Sequence, residues 1–149
     1  MRALVQRVSE GGVYITDPPH IAETGKGMVI LLGVKEGDTE HDVIFTADKC
    51  SNLRIFEDEQ GKMNISIKET GGEVLVISQF TLYGETARGN RPGFSQAARP
   101  EVANFLYEKF VERMRFNLGS EKVKTGVFQA MMSVKIINDG PVTLIVDSK

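Results

Sequence analysis

The sequence comprises 149 residues with a formal net charge of −2 and one cysteine. This length suits one domain with a sizeable core, so we expect residues 1–149 to form a single domain. The charge excludes a globally basic nucleic-acid-binding surface, the lone cysteine excludes an internal disulfide, and no apolar run approaches the roughly 20 residues of a membrane span.

The first 34 residues are predicted to form strands. Residues 2–8 and 13–16 indicate two paired strands around Gly11-Gly12, and residues 28–34 are a continuous apolar run typical of a strand buried on both faces. Residues 1–8 alternate like a strand and lack the charged start and long apolar stretch of a signal peptide. We therefore expect a cytoplasmic protein.

A first helix is expected to begin near Asp38-Thr39. Thr39 and Asp42 have the spacing of a capping box, although Glu or Gln is the usual partner. One face of this helix carries Val43, Ala47 and Cys50. Cys50 is accordingly interpreted as a small buried apolar residue in preference to a nucleophile.

Residues 53–82 are predicted to add a hairpin and a buried strand. Residues 53–56 lead to a turn at 58–61, and residues 62–67 alternate as a half-buried hairpin arm. Residues 74–77 form an apolar strand that ends in the segment 78–82.

A second helix and two closing strands complete the predicted elements. The helix begins after Pro100 and ends near Gly119. Its apolar stripe consists of Ala103, Leu106, Tyr107, Phe110, Val111 and Met114. The closing strands, 132–136 and 142–146, are joined by Gly140-Pro141. Many strands with two main helices predict an α+β fold built on a mixed, strongly curved, barrel-like β-sheet.

The chain lacks the common catalytic side-chain arrangements. His20 and His41 are its only histidines, and neither lies beside a serine or cysteine nucleophile motif. Two histidines and one cysteine also make a metal site improbable, and no Gly-rich phosphate loop is present. Hydroxyl and backbone groups remain as candidates.

Two short segments offer such groups. A strand-end turn at Phe80-Thr81 can direct successive backbone N–H groups outward to stabilise an oxyanion, or Ser78 and Thr81 can simply satisfy the end of a strand. Gly140-Pro141 can be a tight turn, or a rigid wall whose carbonyls exclude a ligand of the wrong chirality by steric clash.

A local basic stretch is the candidate for any RNA contact. Residues 84–100 contain Gly and Pro at several positions together with Arg88, Arg91 and Arg99. A solvated loop is the alternative interpretation, because charge clusters alone are weak signals.

The two segments occur together in one known family. The chain resembles the D-aminoacyl-tRNA deacylases almost end to end, and the pairing of Ser-Gln-Phe-Thr with Asn-X-Gly-Pro-Val-Thr is highly specific to them. The matching stretches are residues 1–8, 31–34, 37–39, 52–58, 76–83, 91–92 and 138–143.

This resemblance implies a homodimer with shared active sites and without a cofactor. It would hydrolyse the ester between a D-amino acid and the 3′-terminal adenosine of tRNA, and also glycine misloaded on an alanine tRNA. In the family, a cis Gly140-Pro141 step from one subunit enters the site of the other and excludes L-amino acids, and Arg7 holds that step from behind. The opposite wall would consist of Ser78, Gln79, Phe80 and Thr81, with the RNA 2′-hydroxyl assisting the reaction.

The chain departs from the family at several positions. Gln129 and Met131 replace the usual Gly and Asp, whereas Phe128, Ala130 and Met132 match and are expected to line the substrate pocket. The loop after Tyr83 is more neutral than usual, with Glu85 and Ala87. Residues 17–22 also depart from the usual short hairpin.

Two alternative functions stay open at this level. A related editing enzyme with a trans Gly-Pro step would admit a small L-amino acid such as threonine. A nucleic-acid-binding module without catalysis is the other, and some family members carry a C-terminal tail linked to DNA binding. The sequence ends at Lys149, just past the last predicted strand, so no such tail is expected here.

Overall fold

The computed structural model describes residues Met1–Lys149 and consists of a curved mixed sheet with helices on it. The strands are β1 (Arg2–Thr16), β2 (Pro19–Thr24), β3 (Gly27–Gly33), β4 (Phe56–Glu57), β5 (Met63–Ile65), β6 (Glu73–Ser78), β7 (Val123–Thr125) and β8 (Ser133–Asp147). The helices are α1 (Glu40–Asn52), α2 (Ile67–Thr70) and α3 (Pro100–Leu118), with short 3₁₀ turns at Phe80–Tyr83 and Ser120–Lys122.

The sheet is a nearly closed barrel. Its order is β2-β1-β3-β6-β7, and β8 pairs with the opposite edge of β1. Strands β3, β6 and β7 run parallel, whereas β1 is antiparallel to each of its neighbours. His20 Nε2 on β2 lies 2.9 Å from the Thr125 carbonyl oxygen on β7, so the two ends of the strand order approach each other. The predicted α+β fold with a curved mixed sheet and two main helices is confirmed.

The prediction of two paired strands in residues 2–16 is wrong, because β1 is one continuous 15-residue strand. Gly11 lies in the strand at a point of close packing. A Cβ there would lie 2.8 Å from both Thr24 Oγ1 and Val29 Cγ2. The glycine therefore permits close approach of neighbouring side chains and does not mark a turn.

The two predicted closing strands are likewise one strand, β8. Both halves of β8 pair with β1, and Gly140-Pro141 lies in a bulge between them. The hairpin arm predicted at 62–67 is also shorter than expected. Strand β5 covers only Met63–Ile65, and Ile67 begins α2 because Ser66 and Glu69 form a capping box there.

The two main helices begin where their local sequence predicts, and α3 also ends where predicted. The Thr39 N–H and hydroxyl both donate to Asp42 Oδ2, at 2.8 and 3.0 Å. Helix α3 begins at Pro100 and its C-cap is Gly119. The predicted apolar faces of both helices are buried against the sheet, and Cys50 is fully buried among them. Neither helix has an apolar stretch long enough to cross a membrane.

Candidate active site

The end of β6 exposes two unused backbone donors. The Gln79 N–H donates to the Leu32 carbonyl at 2.8 Å, which is the last backbone bond from this segment to β3. The chain then enters the 3₁₀ turn, whose first N–H groups have no partner within the turn. The N–H groups of Phe80 and Thr81 consequently donate no hydrogen bond to the backbone or to a side chain.

Thr81 has no group beside it that could remove its proton. Its hydroxyl oxygen accepts a hydrogen bond from the Gln79 side-chain amide, which is neither an acid nor a base at neutral pH. A threonine hydroxyl without a base is a poor nucleophile. The groups of this segment that can take part in chemistry are therefore its free N–H groups.

The segment borders a mostly apolar cavity of about 770 Å³. Its lining brings together the predicted residues Ser78, Gln79, Phe80, Arg99, Phe128, Ala130 and Met132, along with Gln129 and Met131. Arg99 is the only charged residue in the lining, so the cavity has no carboxylate, histidine or cysteine to act as a general base or metal ligand. Thr81, Arg88 and Arg91 lie outside this lining.

The structure adds lining residues that were not predicted as site residues. Phe94 contacts Phe80 edge-to-face, with the ring centroids 5.1 Å apart, and both rings are partly exposed at the cavity. The signal for Phe94 was an aromatic residue inside the basic, glycine-rich stretch, a combination typical of nucleic-acid contacts. Val34, Pro100 and Ala103 also line the cavity, and nothing in their sequence pattern separates them from core residues.

Tyr107 supports the cavity wall from behind. Its hydroxyl donates to the Val76 carbonyl at 2.9 Å, and its ring lies 6.2 Å from that of Phe128. Burial raises the pKa of Tyr107 above its ordinary value of 10.0. The hydroxyl therefore stays protonated and serves as a structural donor.

The second predicted segment forms a bulge that projects from β8. Gln6 pairs with Thr143 and Val8 with Asn138, so residues 139–142 face the single residue Arg7. This stretch contains the cis Gly140–Pro141 peptide bond that the resemblance implied, in contrast to the trans bond of the alternative editing enzyme.

Polar side chains hold the bulge at both ends. The Arg7 guanidinium donates to the carbonyls of Ile55, at 2.7 Å, and Asp139, at 3.2 Å. The Asn138 side-chain amide donates to the carbonyls of Arg7, at 2.9 Å, and Val142, at 3.1 Å. Arg7 is itself buried, so the bulge rests on a fixed cationic support.

Gly140 and Pro141 do not reach the cavity of their own chain. Both are exposed and neither lines it. Gly140 has a φ of 118°, and a Cβ there would lie 2.7 Å from an Arg7 guanidinium nitrogen, so only glycine fits this position. Within the chain the two predicted segments are therefore separate.

Comparisons with known proteins agree on one family. A family profile described as D-Tyr-tRNA(Tyr) deacylase matches residues 4–147. A protein named D-aminoacyl-tRNA deacylase from Desulforamulus reducens is 53% identical over 149 residues, covering 100% of this chain and 98% of the relative. One of the same name from Clostridioides difficile is 53% identical over 148 residues, covering 99% of this chain and 97% of the relative.

Solved structures share the whole fold. A c-Myc DNA unwinding element binding protein superposes with a TM-score of 0.93 at 38% identity, covering 100% of this chain and 99% of the other. A probable eukaryotic D-amino acid tRNA deacylase superposes with a TM-score of 0.84 at 17% identity, covering 98% of each chain. At that identity the second likeness concerns the fold alone.

Proposed function

Because the chain belongs to the D-Tyr-tRNA(Tyr) deacylase family, we propose that it hydrolyses the ester that joins a D-amino acid to the 3′-terminal adenosine of tRNA. One observation of the site carries this proposal. The free N–H groups of Phe80 and Thr81 lie beside a cavity without any side-chain base. Such a site suits an activated ester, which needs a stabilised oxyanion more than a strong nucleophile.

The reaction can proceed on backbone groups and the substrate. Water attacks the ester carbonyl carbon, and the carbonyl oxygen becomes an oxyanion that accepts hydrogen bonds from the Phe80 and Thr81 N–H groups. The bond to the ribose 3′-oxygen then breaks, and that oxygen takes up the proton that the attacking water gives up. The neighbouring 2′-hydroxyl of the RNA assists in place of a protein base. The products are the free D-amino acid and tRNA.

Chiral selection is assigned to Gly140 and Pro141 of a second subunit. The bulge is exposed, fixed by Arg7, and remote from its own cavity, which suits a part that acts on a neighbouring copy. Strand β8 pairs only with β1, and its exposed Ile137, Leu144 and Ile145 offer apolar surface for such a copy. We infer a homodimer whose two active sites are each completed by the other subunit.

A wall that acts by steric exclusion predicts the substrate range. The carbonyls of Gly140 and Pro141 would clash with an L side chain and leave a D side chain free. Glycine has no side chain to exclude. Glycyl-tRNA, including glycine misloaded on an alanine tRNA, should therefore also be a substrate.

The RNA contact is assigned to the basic stretch beside the cavity. Arg99 lines the cavity immediately before helix α3, and Arg88 and Arg91 are exposed in the preceding loop. These cations can pair with phosphates near the RNA end while the overall charge stays negative. A substrate of this kind places the protein in the cytoplasm, where charged tRNA is used.

The proposal is tested by deacylation of D-tyrosyl-, L-tyrosyl- and glycyl-tRNA by the purified protein. We expect rapid hydrolysis of the D and glycyl esters and little hydrolysis of the L ester. Equal rates on the two tyrosyl esters, or no activity on any substrate, would contradict it. Raising the salt concentration should raise KM and leave kcat nearly unchanged, because phosphate contacts weaken with salt.

A further inference from the structure

The turn between β7 and β8 contains a strained residue at the cavity. The Ala130 N–H donates to the Val127 carbonyl at 3.2 Å and closes a four-residue turn. Gln129 occupies the third position with a φ of 63°, and it is the one non-glycine residue in the chain with positive φ. A negative φ at the second position and a positive φ at the third are characteristic of a type II turn.

The flanks of the turn impose this conformation. The Gly126 N–H donates to the Val76 carbonyl on β6 at 3.3 Å, and the Phe128 ring packs on Tyr107. Glycine is favoured at the third position because it adopts positive φ without a steric penalty. A glutamine held there keeps an unfavourable backbone conformation, and such strain concentrates at ligand-binding and catalytic sites.

The Gln129 side chain has a free carboxamide at the cavity. Of the two glutamines in the lining, Gln79 donates to Thr81, whereas Gln129 is exposed and has no hydrogen-bond partner in the chain. A carboxamide presents a donor and an acceptor in one plane, a pattern that matches the edge of adenine. Proteins commonly read unstacked RNA ends through such base-edge hydrogen bonds.

We propose that the Gln129 carboxamide hydrogen-bonds the exocyclic amine of the 3′-terminal adenine and so holds the RNA end over the free N–H groups of Phe80 and Thr81. This inference rests on the proposed deacylase function and adds a specificity-determining side chain to it. In this arrangement the turn carries the side chain to the base.

Two variants separate the side chain from the backbone strain. Gln129→Met keeps the length and the strain but removes the carboxamide, whereas Gln129→Gly removes both. We expect KM for D-tyrosyl-tRNA to rise about 3- to 10-fold in each variant, with kcat little changed. Only Gln129→Gly should gain thermal stability, by about 2–4 °C in Tm.

A modified substrate identifies the contacted group. Purine riboside in place of the terminal adenosine lacks only the exocyclic amine. The wild-type protein should lose about the same factor in KM with this RNA as Gln129→Met loses with normal RNA. The two changes together should cost no more than either alone, as expected for groups that contact each other.

An unchanged KM in both variants would overturn the contact. KM effects of Gln129→Met and of the modified base that multiply when both changes are made would also overturn it. D-selective deacylation by the same preparations would show that the proposed function nevertheless stands. Loss of D-selective deacylation in the wild-type protein would instead remove the function on which the inference rests.

Discussion

Thr81 carries a hydroxyl and a free N–H, and we propose the N–H as its functional group. The hydroxyl is paired with a neutral amide, and the N–H is unpaired. Thr81→Ala should therefore keep activity within about threefold of wild type, since only a neutral hydrogen bond is lost. Thr81→Pro removes the N–H and should lower kcat about 100-fold or more.

Single-turnover deacylation of D-tyrosyl-tRNA measures both effects, with the thermal midpoint as the check on folding. If Thr81→Ala were as inactive as Thr81→Pro while folded, the chemistry would belong to the hydroxyl.

Asn138 is a second residue whose contacts make a specific prediction. Its amide joins the carbonyls of Arg7 and Val142 across the base of the bulge. Asn138→Ala should loosen Gly140 and Pro141 and lower the ratio of D to L deacylation rates about tenfold, since an unpaired carbonyl costs about 1–3 kcal/mol.

Asn64→Ala is the matched control, because Asn64 also donates through its amide, to Asp58, on the exposed strand β5. An Asn138→Ala protein with reduced stability and an unchanged D to L ratio would limit Asn138 to a structural role.

At the scale of elements, the start of helix α1 links folding to pH. Burial acts to raise the pKa of Asp42, but hydrogen bonds from Thr39, Ser148 and Lys149 outweigh it and hold the pKa well below the ordinary 3.8. A carboxyl with a lowered pKa stabilises the fold fully above its unfolded pKa. That contribution is lost as the pH falls from about 4 through the folded value.

Asp42→Asn should lower the free energy of unfolding at pH 7 by about 1–3 kcal/mol and flatten the loss of stability below pH 4. Urea unfolding at several pH values measures this. Glu40→Gln, an exposed acid in the same first turn, should change little. Equal acid dependence in wild type and Asp42→Asn would contradict the assignment.

At the scale of the whole molecule, the two segments that we propose for the site remain apart within one chain. Gly140 and Pro141 do not line the cavity that contains Phe80, and the bulge is flanked by exposed apolar residues of β8. A second copy that covers this strand would bury the apolar residues and bring a bulge to each cavity.

Ile145, which is 60% exposed on β8, tests this arrangement. Ile145→Glu should convert a dimer to a monomer in sedimentation experiments and abolish D to L discrimination, because burying an unpaired charge in an apolar interface is strongly unfavourable. Ile21→Glu alters a similarly exposed isoleucine on β2 and should preserve both properties. A monomeric wild-type protein with full chiral selection would refute the shared site.

Local sequence determined the two main helices and the buried strands β3 and β6. The capping pair Thr39 and Asp42, the apolar stripe of α3 and the stop at Gly119 act over a few residues, so their effects can be read from spacing alone. The Ser-Gln-Phe-Thr and Asn-X-Gly-Pro-Val-Thr segments likewise identified the family without a structure.

Only the tertiary structure decided what those segments do within the chain. Gly11-Gly12 and Gly140-Pro141 resembled turns, but β1 and β8 run through them because each strand pairs with the other from more than a hundred residues away. The same long-range pairing leaves residues 139–142 as a bulge over Arg7. The pairing of β6 with β7 brings the Phe80 turn and the Gln129 turn to one cavity. The free N–H groups there appear only when every backbone partner is known.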